Sequence, residues 1–321
     1  KTREYYDQIR YAWKEGSSVE ETEKRIQNLI AHAVKTTDFY KDYPETCSLE
    51  DLPVVNKDIF RQQYDRFVSS TYKDAPDNRV MCTSGSTGTP LRMIQNRDKI
   101  RHNTAGGIFL GAAAGYYIGM KEAFIRVWVN NVRKSKFQLL QENLIMMDSS
   151  RMDEKALEEM FHVIEKKKVK CLVGYSSALG ELSEYIRKTG RDISRWSVEM
   201  VFSMGEALPQ ETYDLTKELF GFSPVRSYGN NENGFIAIQL DEDPEYTVDL
   251  YNFYPEILKL DSDEPAEPGE LGRIVVTDYY NKTFPMVRYD TGDTGKMRVY
   301  YDKNGRVHAK YTEIYGRKAR R

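Results

Sequence analysis

Apolar residues recur at helical spacing near the start of the chain. Between Ile26 and Val34 they repeat at intervals of three and four, which predicts an amphipathic helix with one buried face. Ser17 and Ser18 precede this run and either can cap a helix, with Glu21 near the position of a capping box. The pattern therefore predicts a packed helix that begins near Ser18.

The middle of the chain alternates between short apolar runs and helical stripes. Helices are expected at 176–189, closed by Gly190, and at 209–221, opened by Pro209. Strands that alternate with helices favour a parallel sheet with right-handed crossovers. The three predicted strands are "VKCLVGY" (169–175), "VEMVFSMG" (198–205) and "VRSYG" (225–229).

Beyond about residue 235 the pattern changes to short strands separated by acidic, proline and glycine turns. We expect these residues to form a mostly antiparallel sheet or a distorted barrel. The predicted fold class is therefore α/β, with parallel sheets flanked by helices and followed by an antiparallel, barrel-like subdomain. The predicted strands are "FIAIQL" (235–240), "EILKL" (256–260), "GRIVVTDYY" (272–280) and "KMRVYY" (296–301).

Each strand of the predicted parallel sheet runs into a loop of small or polar residues. Ligands of open parallel sheets bind beyond the carboxyl ends of the strands, where such loops lie side by side. The convergence of three loops indicates a binding site at this edge. The loops are "GYSS" (174–177), "MGEALP" (204–209) and "YGNNENG" (228–234).

A fourth loop, "CTSGSTGTPLRM" (82–93), is rich in glycine and hydroxyl residues. We expect a strand before it and a helix over 97–119 after it, the setting in which backbone N–H groups hold phosphate. No Gly-Lys-Ser/Thr follows, so it is not a Walker A loop, and its glycine spacing is not that of a dinucleotide fingerprint. A solvated linker is the alternative.

Composition narrows the class of protein. The 321 residues carry a formal net charge of −2, which gives no general attraction to nucleic acid or membrane. Three widely separated cysteines fit a reduced, cytoplasmic protein rather than a disulfide framework. The apolar stretch 104–119 is shorter than the ~18 residues of a membrane span, so we expect a buried helix there.

The loop sequences together resemble motifs of the adenylate-forming (AMP-binding) enzymes, which include acyl-CoA synthetases and peptide-synthetase adenylation domains. All occur in the order of that family. They are "TSGSTGTP" (83–90), similar to the phosphate loop; "GEALPQE" (205–211), similar to the adenine-backing loop; "YGNNENG" (228–234), similar to the Tyr-Gly-x-x-Glu motif; "VRYDTGD" (287–293), similar to the Tyr-x-Thr-Gly-Asp motif; and "YGR" (315–317), similar to the Gly-Arg before the hinge.

Within that superfamily the chain looks most like phenylacetate–CoA ligases and the related capsular-polysaccharide proteins. The segments "TTDFYKD" (36–42) and "LPVVNKDIF" (52–60) are similar to the N-terminal helical region of that branch. The segment "PGELGRIVVTDYYNKTFPMVRYDTGD" (268–293) is similar to its run into the Thr-Gly-Asp motif. The resemblance extends from about residue 25 to the end.

The resemblance implies a site for ATP. Hydroxyls and N–H groups of the phosphate loop would hold the β- and γ-phosphates, with Thr87 also in a catalytic role. The adenine-backing loop would line adenine mainly through its backbone, Tyr228 would stack on the ring, and Asp293 would accept hydrogen bonds from the ribose. The implied nucleotide-binding residues are Thr83, Ser84, Gly85, Ser86, Thr87, Gly88, Gly205, Glu206, Ala207, Tyr228, Gly229, Asn230, Asp293 and Arg317.

The resemblance also implies a metal and an acyl pocket. Glu232 would hold Mg²⁺, for which a carboxylate is a suitable hard ligand, and would act in catalysis. The chemistry would bring the acid against the α-phosphorus, with CoA as the later acceptor. The expected acyl pocket draws on Trp128, Asn130, Tyr175, Ser176 and Asn231.

Three departures from the family pattern stand out. No lysine accompanies Pro90 in the phosphate loop, where only Arg92 supplies charge, and Ala319 stands where the hinge usually offers an acid or a lysine. The mobile C-terminal domain with its catalytic lysine is not among the 321 residues. We therefore expect the large N-terminal domain of a longer protein, divided into 1–78 (helical), 79–234 (nucleotide-binding core) and 235–321 (β-rich, ending at the hinge).

The expected activity is that of an acid–thiol ligase: ATP-dependent formation of an acyl-adenylate with release of pyrophosphate, then a thioester with CoA. Two alternatives stay open. One is transfer of the acyl or aminoacyl group to a surface polysaccharide or carrier, and the other is a nucleotide-binding module without catalysis. Expected partners are a small carboxylic acid, ATP and an acceptor, with neither nucleic acid nor a membrane span, and a homodimer is a further option.

Overall fold

A computed structural model describes residues 1–82, 91–128, 134–240 and 243–316. The predicted phosphate-loop residues 83–88, together with Asn130 and Arg317, lie outside the described residues. Among the helices in the described ranges, none combines the length and apolar character needed to cross a membrane.

The chain begins with four helices, and strands and helices then follow one another as far as Phe220. The described elements after Phe220 are all strands. The helices are α1 (Thr2–Glu15), α2 (Val19–Thr36), α3 (Lys57–Gln62), α4 (Tyr64–Phe67), α5 (Arg97–Ala113), α6 (Lys136–Gln141), α7 (Glu154–Lys167), α8 (Ser176–Thr189) and α9 (Gln210–Phe220). The strands are β1 (Arg79–Cys82), β2 (Arg92–Gln95), β3 (Glu122–Arg126), β4 (Leu144–Asp148), β5 (Cys171–Tyr175), β6 (Met200–Met204), β7 (Val225–Asn230), β8 (Gly234–Gln239), β9 (Tyr246–Val248), β10 (Phe253–Leu258), β11 (Gly272–Asp278), β12 (Tyr289–Tyr301) and β13 (Val307–Tyr315).

The chain forms two compact units. The first contains residues 1–109, 229–237 and 245–321, and the second contains 110–228 and 238–244. The N-terminal helices thus belong to the same unit as the C-terminal strands, because both bury their apolar faces in one core. The division into 1–78, 79–234 and 235–321 remains a prediction about domains.

The second unit is built on a parallel sheet, as the alternation of elements predicted. Its strands follow the order β4-β3-β5-β6-β7, and each neighbouring pair is parallel. Helices α7 and α8 bury apolar faces in the core of this unit, with Leu157, Ile164 and Leu182 at most 7% exposed. Gly190 and Gly221 end α8 and α9 in the left-handed conformation, as expected from their sequence positions.

The first unit contains an antiparallel sheet in the order β10-β11-β12-β13-β9. Its core is aromatic: Phe60 stacks on Tyr289 and meets Phe67 and Phe284 edge to face. Ser18 caps α2 by accepting from Glu21 N at 3.4 Å, as the capping-box spacing predicted. The α/β fold class with its antiparallel region is confirmed.

The surroundings of the phosphate loop differ from the expected strand–loop–helix. β1 pairs antiparallel with β2, with Cys82 opposite Arg92, so the loop joins two strands of a hairpin. The expected helix begins at Arg97, as predicted, and ends at Ala113 rather than at 119. The strand was missed because Arg92–Gln95 is only four residues long and lacks an alternating apolar pattern.

A buried histidine lies between two tyrosine rings in the first unit. His102 stacks on Tyr5 with ring centroids 3.8 Å apart and on Tyr280 at 3.5 Å, and Nδ1 lies 3.0 Å from Asn252 Oδ1. Burial disfavours the charged ring and lowers the pKa of His102 to about 3. His102 therefore stays neutral in the folded protein over most of the acid range.

This pKa predicts a loss of stability in acid. The unfolded chain binds a proton at His102 near pH 6.5 and the folded chain only near pH 3, so unfolding gains protons as the pH falls. Between these values this residue lowers the free energy of unfolding by up to about 1.4 kcal/mol per pH unit. Burial raises the pKa of nearby Asp249 to about 6, which acts in the opposite sense.

The contribution of His102 to this pH dependence is separated from that of Asp249 by comparing wild type with His102→Phe. The variant keeps an aromatic ring between the tyrosines. Urea unfolding at several pH values should show that the difference between the two proteins changes between about pH 6.5 and about pH 3, with the variant losing less stability in acid. Curves that stay parallel over this range would contradict the prediction.

Candidate functional site

The loops that follow β5 and β6 contact each other at the carboxyl edge of the parallel sheet. Ser176 Oγ lies 2.6 Å from Ser203 Oγ and donates to the carbonyl of Glu206 at 2.8 Å. Ser227 Oγ, in β7, donates to the carbonyl of Ser203 in β6 at 2.9 Å. The loops after β5 and β6 therefore contact each other, whereas the convergence of the loop at 228–234 with them stays a prediction.

Helix α8 positions the predicted adenine-backing loop, residues 205–211. The side chain of Tyr175, the N-cap residue of α8, makes no capping hydrogen bond. The Glu206 carboxylate instead accepts from Ser177 N at 3.2 Å, which places a negative charge at the helix N-terminus. Gly205 has φ +77°, and a Cβ there would lie 2.7 Å from the Tyr175 ring. Only glycine fits this turn, and residues 205–207 are exposed.

A cleft of about 780 Å³ adjoins the same loop. Its lining includes Ser176, Ser177, Glu206 and Ala207 together with residues of α8 and α9. Its volume is in the range of small-molecule sites.

Two predicted acyl-pocket residues lie around one arginine. The Arg126 guanidinium is 5.4 Å from the centre of the Trp128 ring and 6.0 Å from that of Tyr175. Trp128 is buried and its indole N–H donates to the carbonyl of Met147 at 3.0 Å, which holds the ring in place. The structure thus brings Trp128 and Tyr175 together in the second unit.

The loop after Tyr228 is held tightly within the first unit. Asn233 N donates to Asn230 Oδ1 at 2.7 Å, and a Cβ on Gly229 would lie 2.3 Å from the carbonyl oxygen of Gly234. Lys99, from α5, donates to the carbonyl of Asn233 at 2.8 Å and pairs with Asp278 at 2.5 Å. These contacts leave the loop little freedom around Glu232.

Glu232, the predicted metal ligand, is buried beside a cation. Its Oε1 lies 2.6 Å from Lys57 Nζ, and its side chain is 1% exposed against 18% for Lys57. Gln95 Nε2 donates to its backbone carbonyl at 3.0 Å. The carboxylate is thus neutralised by a lysine from the N-terminal helical region.

The donor set at Glu232 fits Mg²⁺ bound together with phosphates. No cluster of three or more His, Cys, Asp or Glu able to hold a metal occurs among the described residues. Mg²⁺ commonly takes one or two carboxylates and completes its shell with water and substrate phosphates. The buried carboxylate of Glu232 would be one such protein ligand. A metal at Oε1 would have to displace the Lys57 ammonium.

The Thr-Gly-Asp motif begins strand β12. Asp293 is partly buried, and its N–H donates to Thr291 Oγ1 at 3.2 Å. Thr291 Oγ1 in turn donates to the carbonyl of Ile274 at 2.9 Å, and Arg273 holds Asp290 at 2.9 Å. The turn that carries Asp293 is therefore fixed to β11.

Four polar residues of these sites were not predicted. Lys57, Gln95 and Lys99 hold the Glu232 loop, and Arg126 lies between the two acyl-pocket aromatics. Lys57 follows the Asn56 N-cap of α3 in "NKDIF", but nothing in that pattern indicates a partner 175 positions away. Lys99 is a lysine in a weakly amphipathic helix, so the sequence carried no signal of its burial.

Two curated proteins are similar to the chain over most of its length. Protein CapK of Staphylococcus aureus is 21% identical over 313 residues, which covers 92% of this chain and 67% of that protein. Phenylacetate–coenzyme A ligase of Thermus thermophilus is 21% identical over 331 residues, with coverage of 92% and 69%. No family model matches the sequence.

The fold has solved counterparts. An open conformation of 2-hydroxyisobutyryl-CoA ligase, in complex with 2-HIB-AMP and CoA, superposes with a TM-score of 0.76. It is 17% identical, and the match covers 94% of this chain and 76% of that one. The chain is therefore similar in sequence to protein CapK and to phenylacetate–coenzyme A ligase, and it has the fold of 2-hydroxyisobutyryl-CoA ligase.

Proposed function

We propose that the protein activates a carboxylic acid with ATP. A carboxylate oxygen attacks the α-phosphorus, the bond from that phosphorus to the bridging oxygen of the β-phosphate breaks, and pyrophosphate leaves. The products are an acyl-adenylate and pyrophosphate. In the second half-reaction a CoA thiolate attacks the acyl carbon, the carbon–oxygen bond to AMP breaks, and a thioester forms.

The observation that carries this proposal is the contact between the loops after β5 and β6, in which Ser176 donates to the carbonyl of Glu206 and Ser177 N donates to the Glu206 carboxylate. The loops bear the family's nucleotide motifs and lie where parallel sheets bind their ligands. A ligase with this fold, solved with an acyl-AMP and CoA, supports the same reaction class. The identity of the acid is not part of the proposal.

The nucleotide roles follow from the positions of the motifs. The backbone of residues 205–207 would line adenine and Tyr228, buried at the end of β7, would supply a flat ring face. Gly229 and Asn230 would shape the loop beside it, and Asp293 would accept two hydrogen bonds from the ribose. We also propose that residues 83–88 bind the phosphates and that Thr87 acts in catalysis. Arg317 would reach the ribose or the phosphates.

Charge at the phosphates would be neutralised by a metal at Glu232 and by nearby cations. A bound Mg²⁺ would withdraw charge from the phosphate oxygens. Lys57, whose ammonium is paired with the Glu232 carboxylate, would supply the positive charge that the predicted phosphate loop lacks near Pro90. We propose that Lys57 moves from Glu232 to the phosphates when the metal binds.

The acyl pocket would be formed by Trp128, Tyr175, Ser176, Asn130 and Asn231. Arg126 brings a positive charge to the aromatic part of this pocket, where it would attract the acid carboxylate. Transfer to a sugar or carrier in place of CoA, and nucleotide binding without catalysis, remain the alternative functions.

Replacing Asp293 by alanine should weaken nucleotide binding by about 2 kcal/mol, because charge-assisted hydrogen bonds to the ribose are lost. That is about thirty-fold in Kd. Calorimetry with Mg-ATP and with AMP measures it, and Asp261→Asn, at an exposed turn, is the matched control. Unchanged affinity in Asp293→Ala would remove this residue from the site.

The reaction itself is tested by carboxylate-dependent exchange of labelled pyrophosphate into ATP, over a panel of aryl, hydroxy and fatty acids. Exchange without CoA supports adenylate formation, and a thioester on adding CoA supports the ligase. Exchange with no thioester would favour another acceptor. Nucleotide binding with no exchange for any acid would favour the non-catalytic module.

A further inference from the structure

A second cleft, of about 760 Å³, lies within the first unit. None of the residues assigned above to the nucleotide, metal or acyl sites lines it. One wall is a single face of α2, since its lining residues Val19, Thr22, Glu23, Ile26 and Gln27 follow helical spacing. The cleft therefore requires an explanation of its own.

The opposite wall is one face of the β12–β13 hairpin. Met297, Val299 and Tyr301 alternate along β12, and Val299 pairs with Ala309 of β13. Val299 is 49% exposed and Tyr301 65%, so apolar surface is left open to solvent at this wall. Apolar surface that remains open beside a cleft is typical of a binding site.

The charged residues of the lining are all of one sign. Five glutamates line the cleft, and no lysine, arginine or histidine occurs among its described lining residues. An apolar cleft with only carboxylates favours a cationic ligand and disfavours an acid or a nucleotide. The five are Glu23, Glu50, Glu256, Glu267 and Glu270.

Two lining residues also hold polar atoms that find no hydrogen-bond partner in the described part of the chain. Arg288 donates to Glu256 Oε1 at 3.1 Å, whereas Glu256 Oε2 is buried and no described residue pairs with it. Tyr279 is 4% exposed, and its hydroxyl has no partner among the described residues. Buried polar groups in native proteins are nearly always paired, so a ligand group that donates hydrogen bonds would satisfy both atoms.

We propose that this cleft binds a small organic amine in its protonated form, with the ammonium group toward Glu256 and Tyr279. The apolar body of the amine lies between α2 and the β12–β13 hairpin. An ammonium donates three hydrogen bonds and carries the charge that the glutamates favour. The volume suits an aryl- or alkylamine, since small-molecule sites occupy about 300–1,000 Å³.

The test uses two ligands that differ in charge alone. 4-Phenylbutylamine is a cation at neutral pH, and 4-phenylbutan-1-ol has a similar shape but no charge. Calorimetry or ligand-observed NMR should give an amine Kd below about 1 mM and an alcohol Kd at least about tenfold weaker, the effect of one well-placed charge. Equal affinities, or no amine binding near 1 mM, would overturn the proposal.

Variants locate the site. Val299→Trp should block the cleft and weaken amine binding at least about tenfold, and its half-exposed position makes the fold tolerant of the change. Glu23→Gln with Glu50→Gln should weaken amine binding and leave alcohol binding unchanged. Glu20→Gln, on α2 but outside the lining, is the matched control and should have no effect.

Circular dichroism and Mg-ATP binding show whether each variant is folded. If folded Val299→Trp binds the amine as tightly as wild type, the site lies elsewhere and the proposal fails. A second copy of the chain is the competing occupant. A concentration-dependent dimer that Val299→Trp abolishes without any amine would assign the cleft to self-association and overturn the proposal.

Discussion

Replacing Lys99 by methionine is expected to lower the free energy of unfolding by about 3–5 kcal/mol, because the Asp278 carboxylate is left buried without a cation. The two side chains are at most 1% exposed, and Nζ lies 2.5 Å from Asp278 Oδ2. Lys99 also lies over the Phe253 ring at 4.7 Å and donates to the carbonyl of Asn233. Methionine keeps most of the volume and removes only the charge and its hydrogen bonds.

Urea unfolding followed by circular dichroism measures this change, and Lys35→Met is the control. Lys35 pairs with Glu45 at 2.6 Å, but both side chains are about half exposed, so its loss should matter little. Adding Asp278→Asn to Lys99→Met should recover part of the stability, since the unpaired charge is removed. A Lys99→Met effect no larger than that of Lys35→Met would contradict a structural role for the buried pair.

The second large effect is expected in catalysis. Glu232→Gln should slow acid-dependent ATP–pyrophosphate exchange by a factor of about 10²–10³, the typical cost of losing one preorganised electrostatic contact at the reacting phosphates. AMP affinity should stay near that of wild type, because AMP lacks the β- and γ-phosphates that share the metal. Exchange kinetics and AMP calorimetry on the same preparation separate the two effects.

Two further variants sharpen this test. Glu264→Gln, an exposed carboxylate paired with Lys259 at 2.6 Å, should leave exchange unchanged. Lys57→Met should lower the Mg²⁺ concentration needed for half-maximal exchange, because no ammonium competes at Glu232 Oε1. It should also lower the maximal rate of exchange, because the phosphates lose the cation that Lys57 is proposed to supply. If Glu232→Gln loses AMP affinity and exchange to the same extent, the residue supports the loop rather than a metal.

Most elements of the second unit were predictable because each depends on local signals. Strands β5 and β6 are apolar runs of about five residues, and helices α8 and α9 end at Gly190 and Gly221. These local signals predicted the bounds of all four elements almost to the residue. Strands β3 and β4 were not predicted, because their burial patterns mix buried and half-buried positions without clear alternation. Strand β13 was missed for the same reason.

The candidate site could be predicted only as far as its loops. Small and polar residues mark residues 204–209 and 228–234, and the order of strands and helices indicates that such loops share an edge. The ion pair of Glu232 with Lys57 was not predictable, because a charge pair leaves no periodic pattern when its members are far apart in sequence. The same holds for Lys99 and Asp278.

The α/β class, the positions of the main loops and the resemblance to adenylate-forming enzymes could be predicted, since these rest on local periodicity and short motifs. Three features depend on contacts between separate segments and emerge only in the folded chain: the pairing of the strands on either side of the predicted phosphate loop, the packing of the N-terminal helices with the C-terminal strands, and the neutralisation of Glu232 by Lys57. Burial is a property of the assembled core. The cost of placing a charge there, and hence its need for a partner, arises only when distant segments exclude water around it.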